Sequence, residues 1–181
     1  SAGWITHVTT LNTSNEMSAE IAVAGNTLYA LPSTAAFQTP NVWKSTDGGV
    51  NWATTTAIPI VAPTPVSSGQ AWYNLAIGVD PTDANNVMVG GLNSYISTNG
   101  GTTWTPNSVW VTGVPGSTNY IHADHHIIVW NNNQVLNAGD GGIFYSGDDG
   151  VTFSDRNVGL RLKQFYSVAV HPTSTNYFIG G

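Results

Sequence analysis

Ser45-Thr46-Asp47-Gly48-Gly49-Val50-Asn51-Trp52 is an octad that the chain repeats. It returns as Ser97-Thr98-Asn99-Gly100-Gly101-Thr102-Thr103-Trp104 and, more loosely, as Ser146-Gly147-Asp148-Asp149-Gly150-Val151-Thr152-Phe153. A hydroxyl stands first, Asp or Asn third, Gly fifth and a large aromatic eighth. The short third side chain can accept hydrogen bonds from backbone N–H groups just ahead of it and so hold a tight turn. The fifth-position glycines, Gly49, Gly101 and Gly150, permit positive φ. The aromatics, Trp52, Trp104 and Phe153, begin the returning strand and supply a buried anchor. Each octad therefore reads as a hairpin tip that builds the fold and takes no part in catalysis.

Asp47 and Asn99 lie 52 residues apart, and Asn99 and Asp148 lie 49 apart. A period near fifty with one hairpin signal per repeat predicts an all-β propeller of four-stranded antiparallel blades. The octads are similar to Asp-box (BNR) repeats, found in sialidases, sortilin-type receptors and xyloglucanase-like glycoside hydrolases. That resemblance is specific for fold and unspecific for activity.

Composition agrees. Of 181 residues 41% are hydrophobic and only 8% charged, enough apolar matter for a core. Thr, Val and aromatics favour strands; Gly and Asn favour turns. No stretch shows the three-and-four spacing of an amphipathic helix. Four basic residues against ten acidic ones give a net charge of −6, which argues against nucleic acid. No apolar run has the length of a membrane span. Cysteine is absent, so disulfides and thiolate chemistry are excluded. Low Lys with abundant Thr and Asn resembles a secreted bacterial protein. The start at Ser1-Ala2-Gly3, without Met or apolar leader, reads as a processed or excised piece.

The repeat phase divides the chain into the last strand of a blade at 4–10, whole blades at 19–56, 72–106 and 122–155, and a partial blade at 164–181. A sequon at Asn12-Thr13-Ser14 falls in a polar loop, and a Pro-rich stretch with Pro59, Pro63 and Pro65 joins two blades. Strands are expected at 20–24, 27–31, 41–45 and 51–56 in the first whole blade. In the second they fall at 73–79, 87–91, 94–98 and 102–105. In the third they fall at 126–130, 134–138, 143–146 and 151–155, and in the partial blade at 165–170 and 177–180. Val79-Asp80-Pro81-Thr82 is echoed by Val170-His171-Pro172-Thr173. About three and a half blades are thus present. Either the chain is part of a larger propeller, the reading favoured here, or 4–10 closes a small ring. Remaining blades of a longer chain, or neighbouring subunits, are the expected partners of its open edges.

Further segments sharpen the resemblance: Gly69 to Ile77, His122-Ala123-Asp124-His125-His126, Gly139-Asp140-Gly141-Gly142-Ile143, Gln164-Phe165-Tyr166 and Tyr177 to Gly181. They look like large secreted or cell-surface Asp-box proteins of Bacteroidetes-type bacteria, often exported by type IX secretion. The resemblance implies a location outside the cell and an extracellular glycan or protein as ligand.

Chemistry concentrates at His122-Ala123-Asp124-His125-His126. If this stretch is extended, His122, Asp124 and His126 share a face and can ligate a divalent cation, with Asp140 at the same rim. The favoured reading is that these polar groups line a wet central channel and hydrogen-bond one another; a metal is the lesser alternative. Asp124 and Asp140 are also the best pair of carboxylates for glycoside hydrolysis. A sialidase clamps its substrate with three arginines, and only Arg156 and Arg161 exist here. Trp72, Tyr73, Trp110 and Tyr120 lie in or beside blade-connecting loops, where they either pack the blades, the favoured reading, or let sugar rings or peptide stack. Trp43 and Trp52 are expected in the core. Binding is the favoured function; part of a xyloglucanase-like glycoside hydrolase is the alternative.

Overall fold

The computed structural model describes residues 16–39, 41–59, 66–110, 113–160, 167–174 and 176–180. The expected strand at 4–10, the sequon, Pro63, Pro65, Arg161 and Gln164-Phe165-Tyr166 lie outside these residues. No helix among the described residues is long and apolar enough to cross a membrane.

The described chain is all-β. Strands β1 (Glu16–Ala24), β2 (Thr27–Thr34), β3 (Trp43–Ser45) and β4 (Ala53–Thr54) form one antiparallel sheet in sequential order. Strands β5 (Ala76–Val79), β6 (Val87–Gly90), β7 (Ser94–Ser97) and β8 (Thr105–Ser108) form the second. The third contains β9 (His125–Asn131), β10 (Gln134–Gly139), β11 (Gly142–Ser146) and β12 (Ser154–Asp155). A hairpin of β13 (Val168–Val170) and β14 (Phe178–Gly180) begins a fourth. Among the described residues, three complete blades and a partial one of a β-propeller are therefore present.

The first strands of the three complete blades adjoin in turn, so β1, β5 and β9 lie side by side. Side-chain alternation turns this order into two interblade cores. Ala22 and Ala24 of β1, with Tyr29, Leu31 and Val42, meet Leu75, Ile77, Val79, Val87, Val89 and Tyr95 of the second blade. Ala76 and Met88 face the other way, onto Ile128, Trp130, Val135, Phe144 and Phe153 of the third. Strand β5 is therefore buried on both faces, as the middle layer of a stack must be. Ile21 and Val23 on the first blade, and Ile127, Val129, Leu136 and Ile143 on the third, point away from these cores and are exposed. These are the outward faces on which further blades of such an array stack.

The three octads form one corner. Ser45 Oγ donates to Asp47 Oδ1 (2.8 Å) and accepts from the Gly49 N–H (2.9 Å). Asp47 Oδ1 accepts from the Asn51 N–H (2.9 Å). The set recurs at Ser97, Asn99, Gly101 and Thr103, and again at Ser146, Asp148, Gly150 and Thr152. The fifth-position glycines all have positive φ. So do Gly48, Gly100 and Asp149 at the fourth position, a requirement the sequence reading did not register.

The structure moves several expected boundaries. β2 runs three residues into the predicted loop, with Pro32 opposite Ala19 and Ser33 opposite Ser18. β8 is displaced from 102–105 to Thr105–Ser108, because the corner itself occupies Gly101 to Thr103 and Trp104 is spent as its anchor. β5 starts at Ala76 rather than at 73, since Tyr73 and Asn74 are held in a turn by N–H bonds to the Gln70 carbonyl. Trp43 and Trp52 are half-buried and belong to neither core cluster. The Trp52 indole lies over its own corner and donates to the Gly49 carbonyl (2.8 Å).

Candidate functional site

The polar residues singled out in the sequence meet where the second and third blades join. The segment 122–126 is not extended. Asp124 has φ +64°, and its carbonyl accepts from the Asp140 N–H (3.2 Å). Gly139 lies so close to the Asp124 carbonyl that a Cβ there would overlap it. Pairing then shifts: Ala138 opposes Ile127 while Gly139 opposes His125, which leaves His126 as the extra residue of a β-bulge. The period-two face expected for His122, Asp124 and His126 is therefore not formed. Among the described residues no group of three His, Asp or Glu is placed to hold a metal ion. His122 instead turns its Nδ1 to the Ala123 carbonyl (2.9 Å) and sits directly over Gly141.

The bulge separates the histidines by role. His125, not a predicted site residue, is fully buried, and its Nδ1 meets Asn137 Oδ1 at 2.8 Å. Gly90 makes the space, because a Cβ there would stand 2.7 Å from the His125 Cβ. Burial drives the imidazole down to about 4, against a smaller upward pull from Asn137, so it is neutral near pH 7. Asn74 Oδ1, His125 Nε2, Trp130 Nε1 and Asn137 Nδ2 are buried without a protein partner, a polar insertion in an otherwise apolar interblade core.

His126 is bulged outward, and its Nε2 lies 2.8 Å from Asp140 Oδ1. Tyr73, from the turn before β5, donates its hydroxyl to the same carboxylate, 2.9 Å from either oxygen. Its ring meets His126 edge-on at 4.9 Å, and Trp72 leans on Tyr73 at 5.6 Å. Trp72 is 67% exposed. A continuous strip thus runs from an open indole through Tyr73 and His126 to Asp140. Beside it, Asn74 Nδ2 donates to Asp124 Oδ1 at 2.6 Å. Asp124 and Asp140 share the rim, joined through their backbones, but each carboxylate is engaged by different protein donors.

Trp110 and Tyr120 flank an adjacent cleft of about 280 Å³, with Gln70, Leu92, His122 and Asp124 on its walls. Trp110 is 42% exposed, while Tyr120 is half-buried with its ring edge-on to Phe144 at 6.2 Å. Tyr120 and His122 also border a second cleft of about 470 Å³ that reaches Phe144, Phe153 and Asp155. Neither Arg156, which stacks on Tyr145 at 4.9 Å, nor Lys44, on the first blade, lines either cleft. Most of the rim was thus legible in the sequence, but Asn74, His125 and Asn137 were not. Asn74 stood in a resemblance segment, and Asn137 alternates with core residues along β10, yet neither signal names a partner.

No family model matches the chain, and no curated protein matches it. Solved structures do. The chain is similar to the GH74 enzyme of Niastella koreensis at 25% identity, over 74% of this chain and 22% of that one, with a TM-score of 0.50. It is similar to the GH74 xyloglucanase from Xanthomonas campestris at 17% identity over the same shares, with a TM-score of 0.51. It is also similar to YCF48 from Cyanidioschyzon merolae at 15% identity, over 87% of this chain and 47% of that one, again at 0.51. A further similarity, at 14% identity and a TM-score of 0.51, is to YCF48 bound to D1 peptide. The chain spans 22% of the length of the two GH74 enzymes. These likenesses bear out the propeller fold.

Proposed function

We propose that this chain is a binding segment of a propeller working outside the cell, which offers the rim of its second and third blades to an extracellular glycan or protein. The observation that carries this reading is the strip Trp72–Tyr73–His126–Asp140 beside the cleft walled by Trp110. An exposed indole backed by a pinned tyrosine offers stacking area at low entropic cost, and the fixed carboxylates orient a polar ligand. The hydrogen-bond pattern of the three corners supports reading the octads as Asp boxes. That reading, with its secreted Bacteroidetes-type relatives and their type IX export, is what supports the exterior location.

Hydrolysis is the second reading, favoured by the 25% identity to a GH74 enzyme. It needs one carboxyl group free to protonate a leaving oxygen and another to act as base or nucleophile. Asp140 receives donors from both Tyr73 and His126, and Asp124 receives one from Asn74, an arrangement suited to holding carboxylates still. The test is a screen of the purified chain against plant and bacterial polysaccharides and extracellular peptides, with reducing ends counted. Binding without release, lost in Trp72→Ala, supports the module. Release that disappears in Asp124→Asn supports the enzyme instead. Neither binding nor release in any arm overturns both.

A further inference from the structure

A second groove lies away from the rim, where the first two corners meet. It has a volume of about 510 Å³, within the range of ligand sites. Its floor is the Thr54-Thr55-Thr56 stretch, bridged to the second corner by the Thr56 N–H on the Gly101 carbonyl (3.0 Å). Trp104 Nε1 locks the same junction by donating to the Thr56 carbonyl (3.1 Å). Gly101 is seated so closely that a Cβ would overlap the Thr55 side chain. One wall is formed by Asp47, Asn51 and Trp52.

The geometry points to this groove as a binding site for a neutral oligosaccharide. Three features argue for that class. Thr46, Thr54, Thr55, Thr56 and Thr102 line the groove; the Thr55 and Thr102 hydroxyls donate to the Thr56 and Asn99 carbonyls, and a threonine-rich lining of this kind offers both donors and acceptors, as a polyol requires. The Trp52 indole is pinned by its bond to Gly49 and half-exposed, so it presents a fixed apolar edge to a sugar ring. The two charges at the groove are held separately by the protein: Asp47 accepts from the Ser45 hydroxyl and from the Asn51 main chain and side chain, and the Lys44 Nζ is held at the Gly100 carbonyl (3.3 Å) and over the Tyr29 ring (5.3 Å). One fixed anion with one fixed cation disfavours ligands of either net charge and orients a neutral one through hydrogen bonds.

The groove is not an automatic product of the repeat. At the next junction the side chain of Asn107 crosses to the Gly150 carbonyl (2.5 Å), the position that the Thr56 main chain takes here. A short threonine with its backbone on the floor leaves space that an asparagine side chain occupies.

This site is independent of the rim. The test is calorimetric titration of the chain with neutral glucan, xylan and mannan oligosaccharides, with an oligogalacturonide and a polyamine as charged controls. Saturable binding of a neutral oligosaccharide is expected to persist in a Trp72→Ala background, which lacks the exposed indole of the rim, and to be weakened about tenfold or more when Trp52→Ala or Thr54→Arg is added to that background. Thr54 is exposed and enters its sheet through the main chain, so Thr54→Arg blocks the groove without removing a corner contact, and it decides the matter if Trp52→Ala unfolds. The proposal is overturned by the absence of saturable neutral binding, or by equal binding of the charged controls. It is also overturned by a loss in Trp72→Ala with none in Thr54→Arg, which assigns the sugar to the rim.

Discussion

The Tyr73 hydroxyl stands 2.9 Å from both carboxylate oxygens of Asp140, 67 residues further along the chain. This bond ties the turn before the second blade to the β10–β11 turn of the third. It also fixes the carboxylate against which His126 is set.

Tyr73→Phe is expected to lower ligand binding at the rim while costing about 1 kcal/mol of stability, the net worth of one partly exposed charge-assisted hydrogen bond. Denaturant unfolding and binding titration of the same sample check this. Unchanged affinity would mean that the strip does not serve recognition.

Ser97→Ala removes at once a donor to Asn99 and an acceptor for the Gly101 N–H in a corner where Ser97 is buried. A loss of about 1–3 kcal/mol is expected, because a buried backbone N–H is left without its partner. Thr46→Ala, in an exposed corner position, should stay within about 0.5 kcal/mol of the parent. Equal effects in urea titrations would refute the role given to the first-position hydroxyl.

Gly78→Ala should open the seam between the second and third blades. A Cβ at this position would stand 2.5 Å from Ile128 Cγ2 and 2.9 Å from the Ile128 carbonyl oxygen, within one of the two interblade cores. Overpacking of this kind costs about 1–3 kcal/mol. Thermal unfolding and hydrogen exchange in β5 and β9 provide the readout. A variant as stable as the parent would show that the blades are not packed as described.

His125 makes stability depend on acidity. Its folded pKa of about 4 lies below the value of about 6.5 for a free histidine. As pH falls from near 6.5, the unfolded chain takes up the proton first, so the contribution of the neutral imidazole is whole above 6.5. It drains away as pH drops through 4, by at most about 3 kcal/mol. His125→Gln should be less stable at pH 7 yet flatter between pH 6.5 and 4 in denaturant midpoints. A slope identical to the parent's would remove His125 as its source.

Removing divalent ions tests the abandoned ligand set. With His122, Asp124 and His126 turned to separate partners, dialysis against a chelator is expected to leave the unfolding temperature unchanged. A fall of several degrees would restore a metal to the rim.

The corners were readable before any coordinates, because everything they need lies within eight consecutive residues. A hydroxyl, an Asx side chain and a glycine satisfy their own backbone locally, and the aromatic that follows is buried in the second and third octads and half-buried in the first. Their spacing then specified sheets of four short strands, whereas the stacking of blades decided the cores: β5 is buried on both faces, and Trp43 and Trp52, expected inside, join neither cluster. Neither His125 nor the dispersal of the other histidines could be read in the same way. His122, Asp124 and His126 sit at alternate positions, so an extended backbone would have aligned them. The alignment fails because Gly139, on another strand, admits the Asp124 carbonyl and imposes a left-handed residue and a bulge. Side-chain direction is a local property only while the backbone stays regular. Where two blades press together, the fit between distant segments chooses the backbone, and that choice determined which polar groups are buried, which are paired and which are left open at the rim.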